Sequence, residues 1–448
     1  MTDRFAVKLL LALGSFVLTT TAAVAQPVGS AQSASSIVGA QTPSSQPPLP
    51  AIEQITFEGA IQRALANNPN VAISENAIRR AESLLQQSRT VTRPTVTGGV
   101  TTTILDGERA FGGQVSQPQT QSVFAGNISY PILAPSRWAL REQAADQVEV
   151  ATLGAVDRRR GIAVATGQAY LAVIAQKRLV EANERALETA RYHLEYANNR
   201  LQAGAGSRLN ALRAEQEVAT SDVLLELARL GVRRAQEALG VLVASDAPVD
   251  AAAEPALEVP AAPAGDEWVA GRTDVQVTLA LQRAAQRIVD DSWKDWLPTA
   301  TVGVEPSYIT PSGLFQPSRG VRGVFQLSVP IYDGGVRKAT TLQRRTALDL
   351  AAIQLTDVQL RARAELRTAQ AAVESTMRAL ASARAAASNA TEVLRITDVA
   401  FRAGATTNLE VIDAQRRSRD ADTAVAQAED RARQARLELL VALGRFPG

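Results

Sequence analysis

A seven-residue apolar repeat runs along the stretch from Trp138 to Gly204 and constrains the fold more than any other feature. Small or neutral residues follow three places after most of the apolar positions. This a/d pattern, with its period of about 3.5, indicates a helix that packs against other helices along its length. At about 1.5 Å per residue such a helix is about 100 Å long, whereas ordinary helices run to roughly 8–20 residues. The repeat comprises Val173, Val180, Leu187, Leu194 and Leu201, followed by Gln176, Asn183, Ala190 and Ala197.

The second half of the chain carries the same pattern 200 residues further on. The long seam reappears at Val373, Leu380, Ala387, Leu394 and Phe401. The returning helix has apolar positions at Ala211, Val218, Leu225, Val232 and Leu239, which correspond to Val411, Ser418, Val425, Ala432 and Leu439. Gly204 and Gly404 fall at equivalent turns, where a residue with positive φ is expected. The sequence therefore predicts one hairpin of two long helices in two copies.

Charged residues are balanced, with 47 Lys and Arg against 45 Asp and Glu. Such a balance gives no basic surface for nucleic acid, so the charges are expected to cover solvated helix faces. The absence of cysteine excludes disulfides, thiol chemistry and an N-terminal lipidated cysteine. The one histidine, His193, is expected to be a structural residue on the surface of the long helix, because a metal site needs further ligands.

Nothing in the sequence indicates an enzyme. It has no phosphate-binding P-loop and no dinucleotide-binding glycine pattern. The carboxylate pair Asp290-Asp291 is expected to be a solvated helix end rather than a catalytic site. No cofactor and no metal are predicted.

The N-terminus is predicted to direct export. Residues 1–25 combine Arg4 and Lys8 with an apolar core and an Ala23-Val24-Ala25 cleavage site, which is typical of a secretory signal peptide. A retained membrane anchor is disfavoured because the apolar run is too short to span a bilayer. Residues 26–52 are rich in Ser, Gln and Pro and are predicted to be a disordered linker.

The remaining chain divides into two structural repeats with the same order of elements. The first repeat, 53–243, contains helices, strands at 94–105 and 121–132, and a long hairpin at 136–243. An Ala/Pro-rich linker covers 244–270. The second repeat, 271–448, contains a helix at 273–296, strands at 298–309 and 321–332, and a long hairpin at 335–443.

The four predicted strands alternate apolar and polar residues and have the length of tilted membrane strands. Alternation alone fits an ordinary half-buried sheet equally well. Two arguments favour the membrane. Four strands cannot close a barrel, and an open edge is prohibited in lipid, so several chains would have to pool their strands. In addition, Trp138, Trp293 and Trp296 lie just outside the strand ends, where interfacial aromatic residues belong.

In its order of motifs, the chain resembles the TolC-type outer-membrane efflux and secretion channel family over essentially its whole mature length. The motifs that carry the resemblance are Ala60 to Leu65 with Asn68-Pro69, Tyr130-Pro131-Ile132, Val329 to Gly335, Phe401 to Ala405, and Leu409 to Gln415. Each motif is short, and their order together with the duplication makes the resemblance strong.

The resemblance implies a mainly α fold with a membrane β-barrel portion. Three copies would form a twelve-stranded barrel in the outer membrane and a twelve-helix barrel in the periplasm. The expected function is a passive conduit in a tripartite efflux or type I secretion system. The expected partners are a periplasmic adaptor and an inner-membrane transporter of the RND, ABC or MFS class. The alternative is a periplasmic coiled-coil adaptor or scaffold, which also has long helical hairpins.

The resemblance also implies a gate at the helix tips. Acidic residues at the positions of Glu410 and Asp413 ring the periplasmic constriction in the family, while Thr407 and Glu410 also fit a capping box. The first repeat has Asn210 and Arg213 at the equivalent places, which puts a family-type ionic latch in doubt. A pair between Arg208 or Arg213 and Glu410 stays open. The tip residues expected to contact the adaptor are Gly204, Arg208, Gly404 and Thr407.

Overall fold

The computed structural model of the chain describes residues 52–259 and 265–446. The predicted signal peptide, 1–25, and residues 26–51 of the predicted linker lie outside these ranges. The first repeat contains helices α1 (Phe57–Asn67), α2 (Pro69–Thr90), α3 (Pro135–Gln202) and α4 (Arg208–Leu242). The second contains α5 (Glu267–Gly271), α6 (Thr273–Asp290), a 3-10 helix (Asp291–Trp296), α7 (Val336–Arg402) and α8 (Asn408–Ala442). None of these helices is both long and apolar enough to cross a membrane.

Asn68 separates the first two helices and joins them to the end of the first hairpin. Its side-chain oxygen accepts a hydrogen bond from the backbone N–H of Asn70 at 2.9 Å, so it caps α2, and Pro69 occupies the first helical turn. Its side-chain nitrogen donates to the carbonyl oxygen of Leu242 at 2.8 Å. Asn68 thus ends α1 through its backbone N–H, which donates to Ala64, and its side chain starts α2 and ties it to α4.

The two long hairpins have matching bounds. Helices α4 and α8 each have 35 residues and begin 200 residues apart, and α3 and α7 end 200 residues apart. Gly204 and Gly404 have φ angles of 73° and 75°, a conformation that glycine adopts without steric cost. In each turn the backbone N–H of the residue after the glycine donates to a carbonyl oxygen five residues earlier, in the last turn of the helix. Ala205 donates to Arg200, and Ala405 donates to Ala400. Both turns are therefore Schellman motifs.

Four long strands form one antiparallel sheet in the order β2-β5-β7-β8. A short parallel pair, β1 with β6, and a small hairpin, β3 with β4, complete the strands. The strands are β1 (Glu53–Ile55), β2 (Thr95–Ile104), β3 (Arg109–Phe111), β4 (Gln114–Gln117), β5 (Thr120–Leu133), β6 (Val249–Ala251), β7 (Thr299–Thr310) and β8 (Arg319–Ser328). The sheet leaves one edge of β2 and one edge of β8 unpaired within the described chain.

Several predicted segments differ from the structure, among them the helix predicted at 273–296, whose α-helical part ends at Asp290. The strand predicted at 321–332 ends at Ser328, because Pro330 has no N–H to donate to β7, and the Ile331 and Tyr332 side chains are 88% and 87% exposed. The loop after β2 folds into the β3–β4 hairpin, with positive φ at Gly112 and Gly113. The predicted linker 244–270 contains β6 and α5.

The main hydrophobic core surrounds the middle of α3. Tyr170, Leu171 and Val173 are fully buried there against α1, β6 and the C-terminal ends of α4 and α8. The hydroxyl of Tyr170 donates to the carbonyl oxygen of Ala253 at 2.7 Å. The same core holds Leu239 and Leu437, which are also fully buried. The returning helices of both hairpins, α4 and α8, are thus packed against α3 at a point far from the tips.

Candidate functional site

One face of the four-stranded sheet is apolar and uncovered. Residues directly opposite each other in the register share a face, so the pairs Val100–Phe124, Phe124–Tyr308 and Val302–Phe325 place their side chains together. Every member of the set below is at least 38% exposed, so this face does not pack on a protein core within the chain. The set is Val96, Val100, Ile104, Phe124, Ile128, Tyr130, Val302, Val304, Tyr308, Val321, Phe325 and Leu327.

The opposite face of the sheet is polar. It carries threonines of β2 such as Thr97 and Thr101, Asn127 of β5, and an ion pair between β7 and β8. In that pair the Arg322 Nε donates to a carboxylate oxygen of Glu305 at 3.0 Å. The sheet is therefore amphipathic across its thickness, with threonines, Asn127 and an ion pair on one side and mostly apolar side chains on the other.

Three of the four tryptophans lie where the sheet meets the helices. Trp138 is in the first turn of α3, directly after β5, and Trp293 and Trp296 are in the 3-10 helix that leads into β7. All three are exposed. The guanidinium of Arg337, at the start of α7, lies 4.2 Å from the centre of the Trp296 ring. The aromatic residues thus gather at the end of the sheet opposite its loops.

Asp333 organises the passage from β8 into α7. Its carboxylate accepts from the backbone N–H groups of Gly335 at 3.1 Å and Arg337 at 2.9 Å, and from the Arg337 Nε at 2.7 Å. The hydrogen bonds from Arg337 are the main cause that lowers the Asp333 pKa to about 2. The Arg337 Nη1 also donates to the carbonyl oxygen of Pro330 at 3.2 Å. This network fixes the strand exit relative to the start of the long helix.

The sequence-predicted gate residues lie in the first turns of α8. The Thr407 hydroxyl accepts from the backbone N–H of Glu410 at 3.4 Å and caps the helix. Asp413 is exposed and pairs with the Arg417 Nη2 at 3.0 Å. Among residues 52–259 and 265–446, no ion pair joins Glu410 to Arg208 or Arg213. The cross-hairpin pair left open by the sequence is therefore not formed within one chain.

His193 is not on the surface, and that expectation is wrong. Its side chain is 2% exposed, and its Nε2 lies 2.6 Å from the Oδ1 of Asn408. Asn408 Nδ2 donates to the carbonyl oxygen of Asn210 at 3.4 Å, so its Oδ1 accepts the proton of Nε2. The His193 ring also packs against Phe401 at 5.6 Å. A single histidine of the first hairpin thus holds the tip of the second.

An ionic link between the hairpins lies about two turns from the tips, where sequence reasoning did not place one. Glu217 of α4 is 3% exposed and accepts from the Arg416 Nε at 2.7 Å and the Arg419 Nη1 at 3.2 Å, both on α8. The sequence marks this link by the position of Glu217, which follows Ala214 by three residues on a helix face that otherwise carries small residues. The two guanidinium groups of Arg416 and Arg419, three residues apart on α8, supply the opposite charge.

No group of three or more acidic or histidine side chains in the described ranges is arranged to hold a metal ion. The candidate functional regions are therefore the amphipathic sheet, the Asp333–Arg337 network between β8 and α7, and the hairpin tips.

Solved membrane proteins, among them two outer membrane channels, share this fold. A membrane protein from Pseudomonas aeruginosa is 22% identical with a TM-score of 0.76, covering 88% of this chain and 91% of that protein. The Campylobacter jejuni CmeC outer membrane channel is 15% identical with a TM-score of 0.75, covering 87% and 85%. The open state of the Neisseria gonorrhoeae MtrE outer membrane channel is 18% identical with a TM-score of 0.71, covering 87% and 88%. At these identities the likeness establishes the fold alone.

The outer membrane efflux protein family matches residues 60–245 and 265–445, which is most of the chain. The chain therefore belongs to this family, and the predicted resemblance to TolC-type channels is confirmed. No curated protein sequence matches the chain significantly. The protein is an efflux channel with a mainly helical fold.

We expect Glu217→Gln to loosen the contact between the hairpins. The change removes the negative charge facing Arg416 and Arg419, and a hydrogen bond to a charged group contributes about 1.5–3 kcal/mol. Amide hydrogen exchange in α8 around these arginines should become about tenfold faster or more. The matched control is Glu215→Gln, because Glu215 is exposed on the same helix. Equal exchange in the two variants would contradict the role of Glu217.

We expect the tip contact to weaken as the pH falls. Burial is the largest cause that lowers the His193 pKa. The hydrogen bond to Asn408 and the charge of Asp398 raise this pKa, and the charge of Arg402 lowers it further. Below about pH 6.5, the ordinary pKa of histidine, His193 takes up a proton when the tip contact is open but not when it is closed. The stability of the contact is therefore lost as the pH falls from that value towards the lowered pKa of the native state. The His193 Nδ1 is buried without a partner, which adds to the cost of protonation.

The measurement is hydrogen exchange of the Asn408 region at about pH 7.5 and about pH 5.5, corrected for intrinsic rates. The wild-type opening free energy should fall on acidification, whereas His193→Gln, which cannot titrate in this range, should show no such change. A wild-type tip with the same opening free energy at both values would refute the role of His193.

Proposed function

We propose that three copies of this chain pool their sheets into a twelve-stranded barrel in the outer membrane. The uncovered apolar face of the sheet, with its two unpaired edges, is the observation that carries this proposal. Unpaired backbone groups are prohibitive in lipid, so β2 of one copy would pair with β8 of the next. The apolar face would then meet lipid, and the polar face with Glu305 and Arg322 would line a water-filled interior.

The helices support the same assembly. Large apolar side chains remain exposed on two long helices of the isolated chain, at spacings typical of a coiled-coil seam. On α4 they are Leu209, Leu212, Val223, Leu227 and Leu230, and on α7 they are Leu342, Leu350, Ile353, Leu360, Val393 and Ile396. Contacts between copies along these faces would give a twelve-helix tunnel projecting into the periplasm. Trp138, Trp293 and Trp296 would mark the membrane interface at the helical end of the barrel.

In this arrangement the chain is the outer conduit of a tripartite efflux or type I secretion system. A periplasmic adaptor would contact the tips near Gly204, Arg208, Gly404 and Thr407, and an inner-membrane RND, ABC or MFS transporter would supply the cargo. All four residues lie at the ends of the hairpins, where a partner reaches them without displacing the core. A coiled-coil adaptor or scaffold is disfavoured, because it does not account for an amphipathic four-stranded sheet.

The tips would form a selective aperture. Three copies would bring three Glu410 and three Asp413 carboxylates towards one axis, which attracts cations and resists anions. Asp413 is already paired with Arg417, whereas Glu410 makes no ion pair in the described chain. The net negative charge of the aperture would therefore come mainly from Glu410.

The assembly is tested with a charge on each face of the sheet. Val304→Arg places a cation at the middle of the apolar face, which costs about 2–4 kcal/mol at a bilayer midplane. We expect this variant to yield little trimer in the outer membrane fraction and few channels in planar bilayers. The control Thr101→Arg places the same charge on the polar face and should yield trimer and channels. Normal insertion of the first variant, or a soluble monomeric wild type, would overturn the proposal.

We expect Glu410→Ala to lower the cation preference of the channel more than Asp413→Ala. The reason is that Glu410 makes no ion pair in the described chain, so its charge acts on passing ions in full. Asp413 is already paired with Arg417, and the exposed guanidinium that its removal leaves behind is screened by salt. Reversal potentials in a salt gradient across planar bilayers measure the preference. The exposed Glu215→Gln, away from the tip, serves as the control. Identical selectivity in all four proteins would argue against a carboxylate aperture.

A further inference from the structure

A shallow groove crosses the apolar face of the sheet where large side chains are missing. Its floor is Gly98 of β2, Gly126 of β5 and Pro306 of β7, which lie side by side in the register. Phe124 and Tyr308 stand along one side of it. The groove is wide open along the face of the sheet and is lined mainly by apolar atoms. A flexible hydrocarbon chain fits such a shape better than a flat patch does.

A single cation stands at the end of this groove. Arg319, the first residue of β8, lies opposite Tyr308 and so points to the apolar face, where its guanidinium is 5.8 Å from the centre of the Tyr308 ring. It is exposed and makes no ion pair with any residue that the structure describes. Arg322, three residues further along the same strand, points to the polar face and pairs with Glu305. The two arginines therefore differ in face and in partner.

An unpaired guanidinium on a lipid-contacting face is costly near the bilayer centre and cheap near the headgroups. Arg319 lies at the loop end of the sheet, opposite the end that carries Trp293 and Trp296. At that depth its natural counter-ion is a phosphate, because the guanidinium fork matches phosphate oxygens. The neighbouring groove supplies space for the acyl chain attached to that phosphate.

We propose that this groove is a binding site for an anionic, phosphate-bearing lipid of the outer leaflet. The phosphate binds Arg319, and an acyl chain lies over Gly98, Gly126 and Pro306. The inference rests on the proposed function, since it requires this face to meet lipid. It adds a specific lipid site to what would otherwise be a uniform hydrocarbon surface.

Native mass spectrometry of the delipidated full-length assembly tests the site. The probes are dioleoyl phosphatidic acid and dioleoylglycerol, which share acyl chains and differ in the phosphate. We expect the wild type to bind the phosphatidic acid about tenfold more tightly, in line with a charge-assisted hydrogen bond. Arg319→Gln should abolish this preference. Gly98→Leu should weaken both lipids, because the new side chain fills the groove without meeting any atom within 4 Å of its Cβ.

The chain offers a matched control for each variant. Arg322→Gln removes a cation from the polar face of the same strand. Gly323→Leu adds a side chain to the apolar face outside the groove, where its Cβ also meets no atom within 4 Å. Both should bind the two lipids as the wild type does. Inorganic phosphate alone should bind more weakly than the phosphatidic acid, whereas equal binding of the two would show an ion site without a lipid and overturn the proposal.

Equal affinity of the wild type for the two lipids would also refute the site, as would equal losses in Arg319→Gln and Arg322→Gln. Channel conductance of the same preparations separates this result from the proposed function. Wild-type channels without lipid selectivity would refute the groove alone, whereas absence of channels would refute the membrane assembly on which it rests.

Discussion

Backbone hydrogen bonding at the edges of the four-stranded sheet is the constraint on which the rest of the structure depends. Among the residues that the structure describes, β2 and β8 each leave a row of N–H and C=O groups without partners. The apolar face beside them is too exposed to belong to a folded core. The proposed pooling of sheets from several copies would satisfy these groups and cover this face. The exposed apolar positions of α4 and α7 would be covered in the same assembly.

Beyond the shared core around α3, two polar contacts of different chemistry join the two hairpins towards their tips. Near the tips, the neutral imidazole of His193 donates to Asn408, a bond that depends on the proton content of the ring. Further up, Glu217 binds two arginines of α8, a contact that depends on salt and on the match of charges. Neither contact uses Glu410 or Asp413. Cohesion between the hairpins and charge at their ends are therefore separate properties, carried by different residues.

The sequence predicts what depends on local periodicity and misses what depends on distant pairing. The seven-residue seam predicts both long helices, and Val173, Leu187 and Leu239 on it are buried. The pairing of Glu53–Ile55 with Val249–Ala251 joins segments almost 200 residues apart, and no periodicity marks it. His193 looks like a surface residue because only one partner helix can be inferred for α3, whereas α8 covers its other side. The gate role of Glu410 and Asp413 stays a prediction, because it depends on neighbouring copies.

The equal length of the two returning helices limits how this protein can change. Gly204 and Gly404 end their hairpins side by side, since His193 and Asn210 both reach Asn408. Deleting one residue from a long helix would rotate the part of the helix beyond the deletion by about 100°. Its apolar face would then no longer contact the neighbouring helix. Only an insertion or deletion of whole heptads, made in both hairpins at once, keeps the apolar face in phase and the two ends level. The reach of the molecule can therefore be adjusted only in steps of about 10 Å, seven residues at a time.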